Sequence, residues 1–369
     1  MAVEFIGMIG TRSASELDGP GSNLIGGHVD RDFVTRFAQA HENSGFDKVL
    51  VGYGSTGPDG FLVAAYAGAH TERVGFLLAH RPGFVVPTLA ARKIATLDQF
   101  LEGRLAVHII TGGSDQEQQR DGDFLSHDER YERTNEYLEV MRRTWDEERP
   151  FDYAGKHYQF AGAYSEVKPF QRPFPVYFGG MSEAALDVGA RHCDVFMMWG
   201  EPLASVKAQI EQVRAAAAKY GRVPRFSVST RPIIGPTEEK AWERAHDILE
   251  RVKAVRKPVP GGNGTPPRPR PQAVGSQRLL EFAARGELHD RCLWTPIAEA
   301  VGAYGNTTAL VGTPETVAAA LLDYYDLGVS TLLIRGFEPL EDAIEYGKEL
   351  IPLVRAGVAE RERKPAPVG

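Results

Sequence analysis

The chain has 369 residues, a formal net charge of −7, 43% hydrophobic and 25% charged side chains, and two cysteines, Cys193 and Cys292. The mild acidity argues against a nucleic-acid partner and the cysteine spacing against a thiolate metal site, and no apolar run reaches the roughly 20 residues that span a bilayer. The opening "MAVEFIGMIGTRS" has no basic leader, so a cytoplasmic enzyme in a reducing compartment is expected, without a membrane partner.

Short β-branched or aromatic runs recur along the chain: "VEFIGMI" (3–9), "DKVLVGY" (47–53), "VGFLLA" (74–79), "LAVHII" (105–110), "PVYFGG" (175–180), "DVFMMW" (194–199), "RFSVSTRPII" (225–234) and "STLLIRG" (330–336). Helical patterns lie between them. "RDFVTRFAQAHENSG" (31–45) ends at Gly45 as a C-cap would, and "PTLAARKIATLDQF" (87–100) starts with Pro87 in its first turn. Continuous apolar strands separated by helices predict a parallel sheet covered outside, and eight such units match an α/β (β/α)8 TIM barrel, one domain over 1–369. An open doubly wound sheet is the competing arrangement. Insertions are expected at about 11–30, at 147–174 (a small hairpin around "FDYAGKHYQF") and at 256–276, whose Pro and Gly content suits a mobile lid or a linker.

Two glycine motifs compete as phosphate sites. "GYGSTG" (52–57) follows a strand, but the next strand ends in Ala79, His80 and Arg81 instead of the carboxylate a dinucleotide ribose needs. It therefore reads as a tight strand-to-helix loop. "VYFGGMSEAA" (176–185) places Gly180 and Ser182 at a helix start, where free N–H groups favour an anion or simply a normal N-cap. Thr111 to Ser114 add hydroxyls and amides after the fourth strand. Ser126 then opens a helix on which His127 and Tyr131, four residues apart, share one face.

At these residues the chain resembles the bacterial luciferase-like flavin monooxygenases, in particular the alkanesulfonate monooxygenase branch. The resemblance rests on "RPGFVVPTLAARKIATLDQFLEGRLAVHIITGGSDQE", "GDFLSHDERYERTNEYLEVMRRTW", "VYFGGMSEAA", "WGEP", "TALVGTPETVAAAL" and "LIRGFEPLEDAIEYGKELIP", in that order. It implies reduced FMN supplied by a separate NAD(P)H-dependent flavin reductase. With O2 the enzyme would oxygenate and desulfonate an organosulfonate, giving an aldehyde and sulfite. Carried over by motif, the cofactor site would be His108, Thr111, His127, Tyr131, Gly180 and Ser182, with the last three on the phosphate. A homodimer or homotetramer is implied as well. The chain departs from the branch where Gly57 replaces its usual cysteine, where Ser229 and Arg231 stand for its arginine and histidine, and at Phe337 and Arg12.

Those departures shift attention to the cations at strand ends: Arg12, His80, Arg81, Arg231 and Arg335. A guanidinium grips a sulfonate or phosphate through two parallel hydrogen bonds. Arg231, inside an apolar strand, is either an anion site or half of an internal ion pair. Arg231, His80 and Trp199 are the expected catalytic side chains. Arg12, Arg81, Arg231, Arg335 and Trp199 are expected to bind substrate. So polar a pocket suits a hydroxylated or sugar sulfonate of the sulfoquinovose kind. No metal cluster is expected. The rival readings are a luciferase-like monooxygenase with a non-sulfonate substrate, a deazaflavin-dependent dehydrogenase, and a non-catalytic flavin-binding protein.

Overall fold

The computed structural model describes residues 2–12, 28–256, 271–305 and 307–363. All eight expected strands form: β1 (Glu4–Ile9), β2 (Lys48–Val51), β3 (Gly75–His80), β4 (Leu105–Ile109), β5 (Val176–Gly179), β6 (Val195–Trp199), β7 (Arg225–Ile234) and β8 (Val329–Ile334). Each pairs in parallel with the next, and β8 returns to β1 through Glu4↔Thr331 to Ile6↔Leu333. The sheet closes into a (β/α)8 barrel, and the open arrangement is excluded.

The covering helices that bear on the site are α1 (Arg31–Asn43), α2 (Gly60–Gly68), α3 (Pro87–Phe100), α4 (Asp115–Arg120), α5 (His127–Asp146), α6 (Glu183–His192), α7 (Leu203–Ala218), α8 (Glu238–Arg256) and α9 (Val274–Arg285). Local chemistry sets their ends. Asp30 accepts the Phe33 N–H at 3.0 Å to start α1, which stops where Gly45 turns to φ 78°. Ser126 donates its N–H to Glu129 at 2.9 Å, the return arm of a capping box that starts α5.

Strand side chains alternate between two environments, as a period of two requires. Ile6, Leu77, Ala106, Tyr177, Val195 and Leu333 fill the barrel interior with Leu50 and Met197. Their neighbours, among them Phe5, Phe76, Leu78, Val107, Ile109, Phe178 and Val228, pack outward against the helices. The interior is closed at the strand N-termini by Glu4, which pairs with Lys48 and accepts from Tyr177 Oη at 2.8 Å and Thr331 Oγ1 at 3.1 Å. Burial alone would raise the Glu4 pKa, but Lys48 and the Tyr177 bond outweigh it and hold the carboxyl below its ordinary value. The open end lies at the strand C-termini.

Three features refine the expected plan. Phe151–Ala154 and Gln159–Ala163 pair antiparallel as the expected hairpin. β7 is longer than the barrel needs: Phe226–Thr230 pair with β8, whereas Arg231–Ile234 pair with a ninth parallel strand, Ala309–Gly312. That strand carries an antiparallel extension, Leu293–Trp294 and Leu288–His289. Residues 13–27 and 257–270 lie outside the described residues, so the expected long loop at 11–30 and lid or linker at 256–276 fall largely there. Among the described residues no helix is long and apolar enough to cross a membrane.

Candidate functional site at the barrel mouth

The alternation of β4 and β5 sorts the expected cofactor residues onto two sides of one wall. Ala106 faces the interior and Val107 and Ile109 face the helices, so His108 falls on the interior side and Thr111 on the helix side. On β5, Tyr177 faces in and Phe178 out, which puts Gly179 on the interior side and Gly180 on the rim.

The rim cluster is compact. A Cβ added to Gly180, whose φ is 141°, would sit 3.1 Å from Tyr131 Oη and 2.9 Å from Ala185 Cβ. Glycine is therefore required twice there, by backbone conformation and by the neighbouring phenol. The His127 and Tyr131 rings meet edge to face at 4.9 Å. Ser182 caps α6, accepting the Ala185 N–H at 3.3 Å, while the N–H groups of Glu183 and Ala184 precede any intrahelical acceptor. Burial raises the Tyr131 pKa against the opposing influence of the Ser182 and Thr111 hydroxyls. Neither hydroxyl closes a well-formed bond to the phenol, and Thr111 Oγ1 is buried with no hydrogen-bond partner. A buried, unused hydroxyl among further donors is what a missing acceptor leaves behind.

Inside the mouth, His108 Nε2 lies 3.6 Å from the position a Gly179 Cβ would take. Burial lowers the His108 pKa to about 4, so the imidazole is neutral at pH 7. Trp199, two residues beyond interior-facing Met197 on β6, is covered by the start of α9, where a Gly275 Cβ would be 3.1 Å from the indole. The same segment reaches the β4 loop. Gln272 accepts the Asp115 N–H and donates to Asp115 Oδ2, both at 3.1 Å. The described flank of the 256–276 segment thus roofs the mouth between the ends of β4 and β6.

His80 is not with these groups. It shares the outward side of β3 with Phe76 and Leu78, bonds Tyr137 Oη at 2.6 Å through Nε2, and meets the Phe61 ring edge at 5.8 Å. The expectation that His80 lines the interior pocket is corrected, because strand parity turns it toward α2 and α5. The arginines do occupy one arc, at the ends of β8, β1 and β3 and on β7. Arg81 is 4% exposed, bonds Glu117 at 3.1 Å and lies 4.3 Å above the Tyr53 ring. Arg231 is 2% exposed, donates to Gly336 O at 2.5 Å and stacks 3.6 Å from the Phe337 ring centroid. Arg335 approaches Met8 Sδ at 3.2 Å, and both Arg335 and Arg12 remain half-buried with partners of their own.

The model for the family described as luciferase-like monooxygenase matches residues 3–331. The chain belongs to that family. Among solved structures, a riboflavin lyase with modified FMN and riboflavin is 19% identical, with a TM-score of 0.77 over 97% of this chain and 92% of the other. An EDTA monooxygenase from Chelativorans sp. BNC1 is 18% identical, with a TM-score of 0.72 over 99% and 95%. An F420-dependent secondary alcohol dehydrogenase is 17% identical, with a TM-score of 0.67 over 96% and 99%. At these identities the likenesses show a shared fold.

For this luciferase-like barrel, sequence reading missed three mouth residues. Tyr53 lies two residues past the end of β2, bonds Asp121 at 2.8 Å and supports Arg81. Glu117 and Gln118 lie on α4, a short helix hidden in what reads as a loop. The Ser114 hydroxyl expected to be free is its N-cap, accepting from Glu117 N at 3.4 Å. The signal was present: serine followed by "DQE" is an N-cap pattern. A cleft of about 430 Å3 lies beside this cluster between Tyr53, Phe84, Asp121, Asp123 and Arg133, and the Asp123–Arg133 pair at 2.5 Å closes its polar wall.

Proposed function

We propose that the chain is the oxygenating component of a two-component, reduced-FMN-dependent monooxygenase that acts on an organosulfonate, releasing an aldehyde and sulfite. The carrying observation is the convergence of Thr111, Tyr131, Gly180 and Ser182 beside the α6 N-terminus, with Thr111 Oγ1 buried and unpartnered. This donor set fits a phosphate monoester: three hydroxyls, helix amides, and a glycine where a Cβ would block the approach. Two exposed carboxylates oppose an anion there, Glu183 on the first turn of α6 and Asp128 beside His127.

Bound FMN would supply two electrons and the activation of O2. This chain would bind the phosphate with Tyr131, Ser182 and the α6 amides, and His127 would pack on Tyr131. His108 and Gly179 would offer a flat interior wall to the ring, with His108 neutral and able to donate or accept one hydrogen bond. The α9 roof over Trp199 would limit access of water. The arginine arc supports an anionic substrate. Arg12 and Arg335 are the better candidates to touch it, because they are half-buried whereas Arg81 and Arg231 are nearly inaccessible. With His80 turned away, the case for a sugar sulfonate over other polar sulfonates rests on His108 and the arginines.

The test is anaerobic titration with reduced FMN, then aerobic turnover of a sulfonate panel with a flavin reductase and sulfite detection. Reduced-FMN binding that weakens at least tenfold in Tyr131→Phe/Ser182→Ala, together with O2-dependent sulfite release, is expected. Binding without sulfite release from any sulfonate would move the assignment to another oxygenated substrate. Oxygen-independent turnover with a deazaflavin, as the F420-dependent dehydrogenase of shared fold would suggest, would replace it.

A further inference from the structure

Gln118 lies directly beneath the loop that carries Thr111. It is fully buried, and its Nε2 donates to Thr111 O at 2.6 Å. A carbonyl can only accept, so the amide nitrogen must face it, and Oε1 is left buried with no partner. Gly112 arches over this amide at φ 97°, and a Cβ there would fall 2.0 Å from Gln118 Nε2. The backbone of Gln118 is equally engaged. Its N–H donates to Ser114 O at 3.1 Å, and its carbonyl accepts from Asp121 N at 3.1 Å and Asp123 N at 3.0 Å. One residue therefore sets the 111–114 loop through its side chain and the turn that leads into α5 through its main chain.

We infer that Gln118 is a positioning residue for phosphate capture: its amide fixes the Thr111 peptide and thereby aims the Thr111 hydroxyl at the rim shared with Tyr131 and Gly180. This rests on the proposed FMN site. An apolar side chain would remove the unpaired Oε1 but would also strip the Thr111 carbonyl of its donor, so keeping the amide at the cost of one orphaned oxygen points to the carbonyl it holds. The peptide of Thr111 has few other restraints, because glycines follow it at 112 and 113.

The experiment compares oxidised and reduced FMN affinity, by fluorescence titration, in the wild-type chain, Gln118→Leu, Gln118→Glu and Thr111→Val, with near-ultraviolet circular dichroism and melting temperature on the same samples. Gln118→Leu should weaken binding at least tenfold while keeping the folded signal. Gln118→Glu should be weak at pH 8, where a carboxylate repels the Thr111 carbonyl, and should recover on acidification as the neutral carboxyl donates in place of the amide. The recovery is read as the ratio of variant to wild-type affinity at each pH, which cancels protonation of the FMN phosphate itself. In a Thr111→Val background, Gln118→Leu should have little further effect, because the aimed hydroxyl is gone. Wild-type-like binding in both Gln118 variants, additive losses in the double variant, or losses that track unfolding would overturn the inference. Failure of the wild-type chain itself to bind FMN would instead remove the reading beneath it.

Discussion

At the scale of single residues, buried imidazoles make folding sensitive to acid. His41 donates from Nδ1 to Phe37 O at 2.9 Å under the close approach of Gly7, and burial lowers its pKa to about 4. The unfolded chain takes up this proton near pH 6.5, so the folded state gains its full advantage above that pH and loses it as pH falls toward 4. One such group is worth on the order of 3 kcal/mol across that window. Replacing His41 with Leu should flatten the slope of urea midpoint against pH between 7.5 and 5, and an unchanged slope would assign the acid sensitivity to other groups. Gly180→Ala tests the rim differently. The added methyl must be placed at φ 141° against Tyr131, at a cost of about 1–3 kcal/mol, and should weaken FMN binding more than Tyr131→Phe does. That Tyr131, Gly180 and Ser182 gather at one rim was legible because helix caps and glycines carry local signatures. The direction of His80 was not, because a one-residue error in where the strand frame begins reverses a side chain.

Elements were most legible where one motif governs both ends. α3 begins at Pro87 and ends at Phe100 as the pattern requires, and the Ser126 cap of α5 is where the capping box places it. Legibility failed where pairing is non-local. Nothing near residue 231 says that β7 changes partners, because the strand it joins lies at 309–312. α9 is a second case, since its position comes from a buried ion pair distant in sequence. Glu201 is fully buried, and Arg278 grips it from Nε at 2.9 Å and Nη2 at 2.7 Å, with Ser205 and Gln209 supplying further donors. Arg278→Ala strands that carboxylate and should destabilise the fold by roughly 3–5 kcal/mol in chemical denaturation, with Arg278→Lys intermediate. It should also loosen the cover on Trp199, read as a red shift in tryptophan emission at denaturant levels that leave the barrel folded.

For the whole molecule, the expected barrel, its strand order and its hairpin all formed, because an eightfold alternation of buried strands and amphipathic helices admits few other closed solutions. Apolar side chains stand in water on two consecutive helices: Leu62 is 72% exposed on α2, and Val86 and Leu89 are 49% and 42% exposed around the start of α3. Exposed apolar side chains of this kind suit a contact surface, which the homodimer or homotetramer implied by the sequence resemblance would need. Leu62→Glu should shift sedimentation from oligomer to monomer, and a monomeric wild-type chain would contradict the assignment. The double allegiance of β7 has its own consequence. Since Arg231–Ile234 are zipped to Ala309–Gly312 while Phe226–Thr230 belong to the closed ring, a polypeptide ending near residue 300 would leave half a strand's amides without acceptors. Cleavage between Ile234 and Ala309 would thus leave two pieces that each carry one side of this pairing, joined also through β8, which bonds both β1 and β7.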